Sequence, residues 1–269
     1  MIFDKYLALW NLVPDGEPII TGTSQLLPVR YKNKPAFLKI SIEEEEKQGN
    51  HLMVWWDGNG AARILAHADN TLLMERAMGK QSLIKMALQD GKDDEATQII
   101  CSVIEKLHLH NNQPLPKLVP LEKWFQELGL AAIKYGGILQ KSFATASELL
   151  AKPQDVVVLH GDIHHANILD FKERGWLAID PKGLIGERGF DYANIFRNPY
   201  TDWQFVTAPG RLARRADVIS KTANLDRTRL LKWVLAFAGL SAAWIIEEGT
   251  EERTLSLAVA GLAAVELGI

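Results

Sequence analysis

A single cysteine, Cys101, among 269 residues leaves no intrachain disulfide to be made, and the chain reads as a protein of a reducing compartment. Neither sign of charge dominates. Thirty Lys and Arg stand against 33 Asp and Glu, a formal net charge of −3. That balance lacks the basic footprint nucleic-acid binding requires, so no nucleic acid is expected as substrate. Long uninterrupted apolar runs are also missing. The most apolar stretch, residues 230–246, contains Lys232 and sits near the lower length limit for a membrane span; it reads as a buried helix. The opening MIFDKYLALW places Asp4 and Lys5 inside any would-be apolar segment and offers no small-residue cleavage site, so no signal peptide is expected. Internal repeats and low-complexity tracts are lacking as well. These absences point to a cytoplasmic protein without a membrane partner, a monomer or weak homodimer.

What is present is ordinary for a globular protein: 47% hydrophobic and 23% charged residues, at a length that suits one large domain or two packed lobes. The first third alternates short apolar runs (19–20, 26–31, 36–40) with turn formers at Asp15-Gly16, Thr21-Gly22-Thr23-Ser24 and Asn33-Lys34-Pro35, the pattern of β-strands. Ser41-Ile42-Glu43-Glu44 fits a capping box and predicts a helix starting near Ser41. Two more strands are expected over 62–65 and 71–74. Helical spacing then runs through 81–109, 121–151 and 212–269, with short strands at 155–159 and 176–179. The fold class expected is α+β: a β-rich lobe with its connecting hinge over residues 1–77 and a larger helical lobe over 78–269.

The chemistry is concentrated in Val157-Val158-Leu159-His160-Gly161-Asp162-Ile163-His164-His165-Ala166-Asn167-Ile168-Leu169, followed by Leu177-Ala178-Ile179-Asp180-Pro181. Phosphoryl transfer needs positioning and charge neutralisation more than covalent help. One aspartate must orient the acceptor hydroxyl and take its proton. An asparagine oxygen and a second carboxylate must hold Mg²⁺ against the triphosphate, because Mg²⁺ prefers hard oxygen ligands. Asp162 followed five residues later by Asn167 has the spacing of the H-R-D-x-x-x-x-N catalytic loop, with Gly161 in place of the arginine. Asp180 then takes the position of the metal-binding aspartate. ATP and Mg²⁺ are the cofactors this implies, and Lys182 is a candidate to neutralise charge near the γ-phosphate.

The pattern H-G-D-x-H-x-x-N resembles the aminoglycoside phosphotransferase branch of the protein-kinase-like superfamily. Trp55-Trp56-Asp57-Gly58-Asn59-Gly60-Ala61-Ala62-Arg63, Leu73-Met74-Glu75-Arg76, the catalytic loop, Ile179-Asp180-Pro181-Lys182-Gly183-Leu184-Ile185-Gly186-Glu187 and Leu240-Ser241-Ala242-Ala243-Trp244 together resemble the aminoglycoside/hydroxyurea resistance kinase family, which includes streptomycin 6-phosphotransferases. The resemblance implies a two-lobed protein-kinase-like fold with a small antiparallel-sheet N-lobe and a mainly helical C-lobe. It makes Lys39 the strand lysine for the α/β-phosphates. Glu43, Glu44, Glu45 and Glu46 compete to be its partner, and the register set by Trp55 and Gly58 favours Glu46. Backbone groups of Glu75 and Ala77 would meet the adenine edge. Gly22-Thr23-Ser24 would cover the phosphates, although its single glycine departs from G-x-G-x-x-G. His160 and Asp191 would support the catalytic loop.

The implied acceptor is a small, cationic molecule such as streptomycin, and Glu187, Asp202, Glu247 and Glu248 are acidic candidates to bind it, since carboxylates pair well with guanidinium groups. Three other readings stand beside this one. A sugar or other metabolite could be the acceptor. The chain could bind nucleotide without turnover, though Lys39, Asp162, Asn167 and Asp180 are all present. The alternation His160, Asp162, His164 could instead ligate a metal in a phosphoesterase, but the further aspartate-rich motifs of that class are lacking.

Overall fold

Period-two alternation builds the first sheet. In β3 (Ser24–Tyr31) and β4 (Lys34–Ser41), Leu27 and Val29 pair with Leu38 and Ala36, and Leu38 pairs again with Leu73 of β6 (Thr71–Glu75). These residues face one side of the sheet, where α1 (Asp4–Leu9) covers them with Tyr6 and the preceding Phe3. Each fully buried Leu or Val there contributes on the order of 1.5–3 kcal/mol. The same alternation turns Lys39 to the opposite face. Lys32 and Asn33, both with positive φ, form the two-residue turn between β3 and β4. The sheet runs β1 (Val13–Pro14), β3, β4, β6, β5 (Ile64–Ala68), with β2 (Ile19–Ile20) also on β3, all antiparallel. The computed structural model describes residues 2–109, 113–246 and 251–269.

Helix α2 (Glu44–Trp56) follows the sheet, but the expected capping box does not form. Ser41 completes β4 instead: its backbone N–H donates to Asn70 O and its hydroxyl meets Asn50, so Glu43 becomes the N-cap without a side-chain cap. Beyond the sheet the chain turns helical. The spacing through 81–109 resolves into α3 (Leu83–Leu88) and α4 (Asp93–Leu107), interrupted at Gly91, where φ is +66°. The stretch 121–151 likewise splits. β7 (Val119–Pro120) leads into α5 (Leu121–Trp124) and α6 (Gln126–Tyr135), and α7 (Gly137–Ala151) begins after Gly136.

Two small sheets then carry the chemistry-bearing loop. β8 (Val156–Leu159) pairs antiparallel with β11 (Leu184–Glu187), which also takes β7 in parallel. Between them lies the hairpin of β9 (Ile168–Asp170) and β10 (Trp176–Ala178). A buried 3₁₀ segment, Arg188–Arg197, follows β11 and had no counterpart in the sequence reading. α8 (Trp203–Val206), α9 (Arg211–Ala223), α10 (Arg227–Trp244) and α11 (Glu251–Leu267) close the fold. α10 is apolar on nearly every side, as a helix at the centre of a bundle must be. Among the described residues no helix is long and apolar enough to cross a membrane.

Candidate active site

Strand pairing brings the distant parts of the sequence motif together. The loop 160–167 leaves β8 and enters β9, while Asp180 follows β10 directly, and Ile179 N–H donates to Asn167 O at 2.9 Å across the hairpin. Asp180 itself is left-handed, φ +66°. Gly161 has φ +87°, and a Cβ there would sit 2.8 Å from Leu184 Cδ1, so a side chain is excluded at the position before Asp162. His160 is fully buried. Its Nε2 donates to Ile179 O at 2.9 Å and its Nδ1 accepts from Asp162 N–H at 3.2 Å. With both nitrogens engaged, His160 cannot join Asp162 and His164 on a ligand face. Asp191 braces the loop from below, accepting from His160 N–H and Gly161 N–H at 2.9 and 2.8 Å. His108, which had no assigned role, donates to the same carboxylate at 2.8 Å.

Asp162 has both oxygens held by amides. Asn194 Nδ2 donates to Oδ1 at 2.9 Å and Asn167 Nδ2 to Oδ2 at 3.3 Å. Burial pushes its carboxyl up to about 7, with Lys182 opposing and Asp180 adding to the rise. The side chain keeps 31% of its surface open, so water in the cavity moderates that push. His164 Nε2 lies 3.8 Å away, and burial, with His160 and Arg197 nearby, drops His164 to about 4, so it is neutral at physiological pH. His165 is buried with neither ring nitrogen bonded among the described residues, and burial drives its pKa well below the usual range. Neither histidine is placed to act as the base.

On the other side of Asp162 lies an ionic cluster. Of the four glutamates, Glu46 reaches Lys39, at 2.5 Å, and Lys39 also pairs with Asp180. Burial opposes ionisation of Asp180, but Lys39 outweighs it and holds the carboxyl below the usual range. Lys182 bridges Glu45 and Glu46 at 3.0 Å each. Burial disfavours its charge, yet the two carboxylates raise its pKa above that of an ordinary lysine. Helix α2 delivers both glutamates because it lies hard against the Asp180–Pro181 segment. A Cβ at Gly49 would fall 1.9 Å from the Pro181 carbonyl oxygen, so glycine is required there.

Asn167 and Asp180 fit a magnesium ion chemically. The Asn167 amino group is committed to Asp162, which leaves Oδ1 as a hard oxygen, and the backbone bond from Ile179 N–H to Asn167 O ties Asn167 to the strand end that carries Asp180. The Gly22-Thr23-Ser24 turn closes the hairpin between β2 and β3. Ser24 is buried with its N–H on Thr21 Oγ1, and the Thr23 carbonyl accepts from Ile42 N–H, pinning the turn to the entry of α2. At the end of β6, Glu75 N–H donates to Arg63 O, and the Glu75 carboxylate is taken by Arg174 of the β9–β10 hairpin, which also donates to Gly58 O at 2.7 Å. Ala77 lies just beyond β6, partly buried against the large core.

A cavity of about 640 Å³ opens onto Asp162. Its wall includes Glu45, Lys182, Asn194 and Arg197, with Glu127 on α6 and Trp124 and Trp244 in edge-to-face contact, their centroids 5.5 Å apart. That volume suits a drug-sized ligand. Two acidic calls are corrected here. Glu187 is 4% exposed and consumed by Arg229, Trp233 Nε1 at 2.7 Å and Gln154 N–H at 2.9 Å, apart from the cavity. Asp202 caps α8 by accepting from Phe205 N–H at 2.9 Å and does not line the cavity. Glu247 and Glu248 lie outside the described residues. The carboxylates that do line the cavity, Glu45 and Glu127, were not among the acceptor candidates read from the sequence. Ser241 and Trp244 had a signal, since they belong to the Leu240–Trp244 motif.

The sequence profile described as aminoglycoside/hydroxyurea antibiotic resistance kinase matches residues 9–249. The chain is 47% identical to a streptomycin 3''-kinase of Klebsiella pneumoniae, covering 89% of this chain and 91% of that one. It is 30% identical to a streptomycin 6-kinase of Streptomyces griseus, covering 89% and 80%. Among solved structures, the aminoglycoside phosphotransferase APH(4)-Ia superimposes with a TM-score of 0.71 at 11% identity, over 100% of this chain and 98% of that one. A choline/ethanolamine kinase family protein from Mesorhizobium loti gives 0.68 at 14%, over 100% and 97%. These likenesses show a protein-kinase-like fold.

Proposed function

The chain belongs to the aminoglycoside/hydroxyurea antibiotic resistance kinase family, and we propose that its acceptor is streptomycin, phosphorylated at the 3''-hydroxyl. It is an ATP-dependent O-phosphotransferase acting on a small molecule. The observation that carries the substrate reading is the cavity on Asp162: large enough for a multi-ring antibiotic, walled by two tryptophans, and furnished with the carboxylates of Glu45 and Glu127 for guanidinium groups. The 47% identity to a kinase named for the 3'' position supports that position over the 6-hydroxyl named for the 30% identical relative.

ATP would lie in the cleft between the sheet and the helical region, with the backbone of Glu75 and Ala77 at the adenine and the Thr23-Ser24 turn over the phosphates. Lys39, held by Glu46, would steady the α/β-phosphates. Asn167 and Asp180 would hold Mg²⁺, which neutralises charge on the phosphates. Asp162 would orient the acceptor hydroxyl and take its proton, and Lys182, on the wall of the same cavity, would neutralise charge on the γ-phosphate. A coupled assay should show ATP-dependent turnover of streptomycin, with NMR of the product placing the phosphate at the 3'' carbon. Turnover confined to sugars or hydroxyurea, with streptomycin untouched, overturns the substrate reading.

The base also sets a pH dependence. Asp162 works ionised, and its pKa lies above the ordinary carboxylate value, so protonation removes activity over a higher window than usual. kcat/KM is expected to be flat above about pH 8 and to fall roughly tenfold per unit below about pH 6.5. An acid limb at the ordinary value, about 4, would show that the Asp162 carboxyl is not raised in the working enzyme.

A further inference from the structure

The buried 3₁₀ segment Arg188–Arg197 places one side chain against the base. We propose that Asn194 is a positioning residue for phosphoryl transfer: its Nδ2 donates to Asp162 Oδ1 at 2.9 Å, on the oxygen opposite the one held by Asn167. The inference rests on Asp162 being the base and adds a second residue that fixes its orientation.

The amide of Asn194 is itself oriented. Asn198 Nδ2 donates to the Asn194 backbone oxygen at 2.9 Å and to Asn194 Oδ1 at 3.2 Å. With an amino group on its oxygen end, Asn194 must present its own amino end to Asp162. Asn198 is 3% exposed, and its carbonyl accepts from Arg215 at 2.8 Å and Arg211 at 3.1 Å. Both arginines pair with Asp93 at the start of α4. The carboxylate plane of Asp162 is therefore anchored to the packed helical region and not merely to its own loop. Each carboxylate oxygen keeps a lone pair for the incoming hydroxyl.

A purely packing role and a positioning role differ in what they do to turnover. A space-filling Asn194 can be replaced by an apolar side chain of the same size with no loss of kcat in the protein that folds. An orienting Asn194 cannot, because the bond to Asp162 Oδ1 is gone, while KM for ATP stays as it was, since the ion pairs of Lys39 do not involve Asn194.

The test uses the full chain with Asn194→Leu, which keeps the volume and removes the donor, and Asn194→Ala, which removes both. Steady-state kinetics are normalised to the folded fraction measured by chemical denaturation. kcat of acceptor phosphorylation should fall about tenfold or more in both variants, with KM for ATP kept within about twofold. Wild-type kcat in Asn194→Leu overturns the proposal and leaves Asn194 a packing residue. A rise in KM for ATP that matches the fall in kcat overturns it too, as a general disturbance of the site. Either variant decides alone if the other does not fold. A wild type inactive toward every acceptor overturns instead the phosphotransferase reading on which the proposal rests.

Discussion

Replacing Asp162 with Asn is expected to lower kcat of acceptor phosphorylation by about 10²- to 10⁴-fold, with ATP affinity kept within about twofold. The substitution preserves shape and removes the carboxylate proposed to take the hydroxyl proton. The nucleotide side should be indifferent to it, because Lys39, Glu46 and Asp180 form their ion pairs without Asp162. Steady-state kinetics and direct nucleotide titration separate the two effects. Loss of ATP binding in parallel with turnover would mean that Asp162 organises the nucleotide site. Retention of wild-type kcat would remove it as the base.

The second large effect concerns stability. Glu187→Ala is expected to destabilise the fold by about 3–5 kcal/mol and to leave KM for the acceptor unchanged in the protein that remains folded. The Glu187 carboxylate is surrounded by donors: Arg229 through two nitrogens, Trp233 Nε1 and Gln154 N–H. Deleting it leaves a guanidinium, 19% exposed, and a buried indole N–H without their acceptor. Chemical denaturation monitored by Trp fluorescence measures the loss. A normal unfolding midpoint with a raised acceptor KM would restore Glu187 to the acceptor site.

That contrast marks what the sequence made legible. Asp162, Asn167 and Asp180 could be read because a loop and a hairpin of fixed length convert sequence spacing into spatial proximity. The strands on either side of Lys39 were legible through alternation, which also turns Lys39 away from the face under α1. Glu187 and Asp202 were misread because an acidic side chain carries no local mark of its partner; Arg229 is 42 residues from Glu187. Glu45 was hidden among four consecutive glutamates: register from Trp55 and Gly58 already favoured Glu46 for Lys39, but only the rotation of α2 brings Glu45 to the cavity. Asn194 sits three residues after Asp191, but its reach to Asp162 depends on a 3₁₀ segment that has neither helical nor strand periodicity. The long helical stretches were right in character and wrong in continuity at Gly91 and Gly136, where positive φ ends a helix that composition alone would continue.

The contact of Gly49 with the Pro181 carbonyl bears on inhibitor chemistry. It locks α2 to the turn after Asp180, and the same helix is tethered twice through Glu46, to Lys39 and to Lys182. A compound that drew its affinity from prising this helix outward would have to break both tethers at once. Ligands shaped to the helix where it stands, reaching from Lys182 toward the tryptophan pair, start without that penalty.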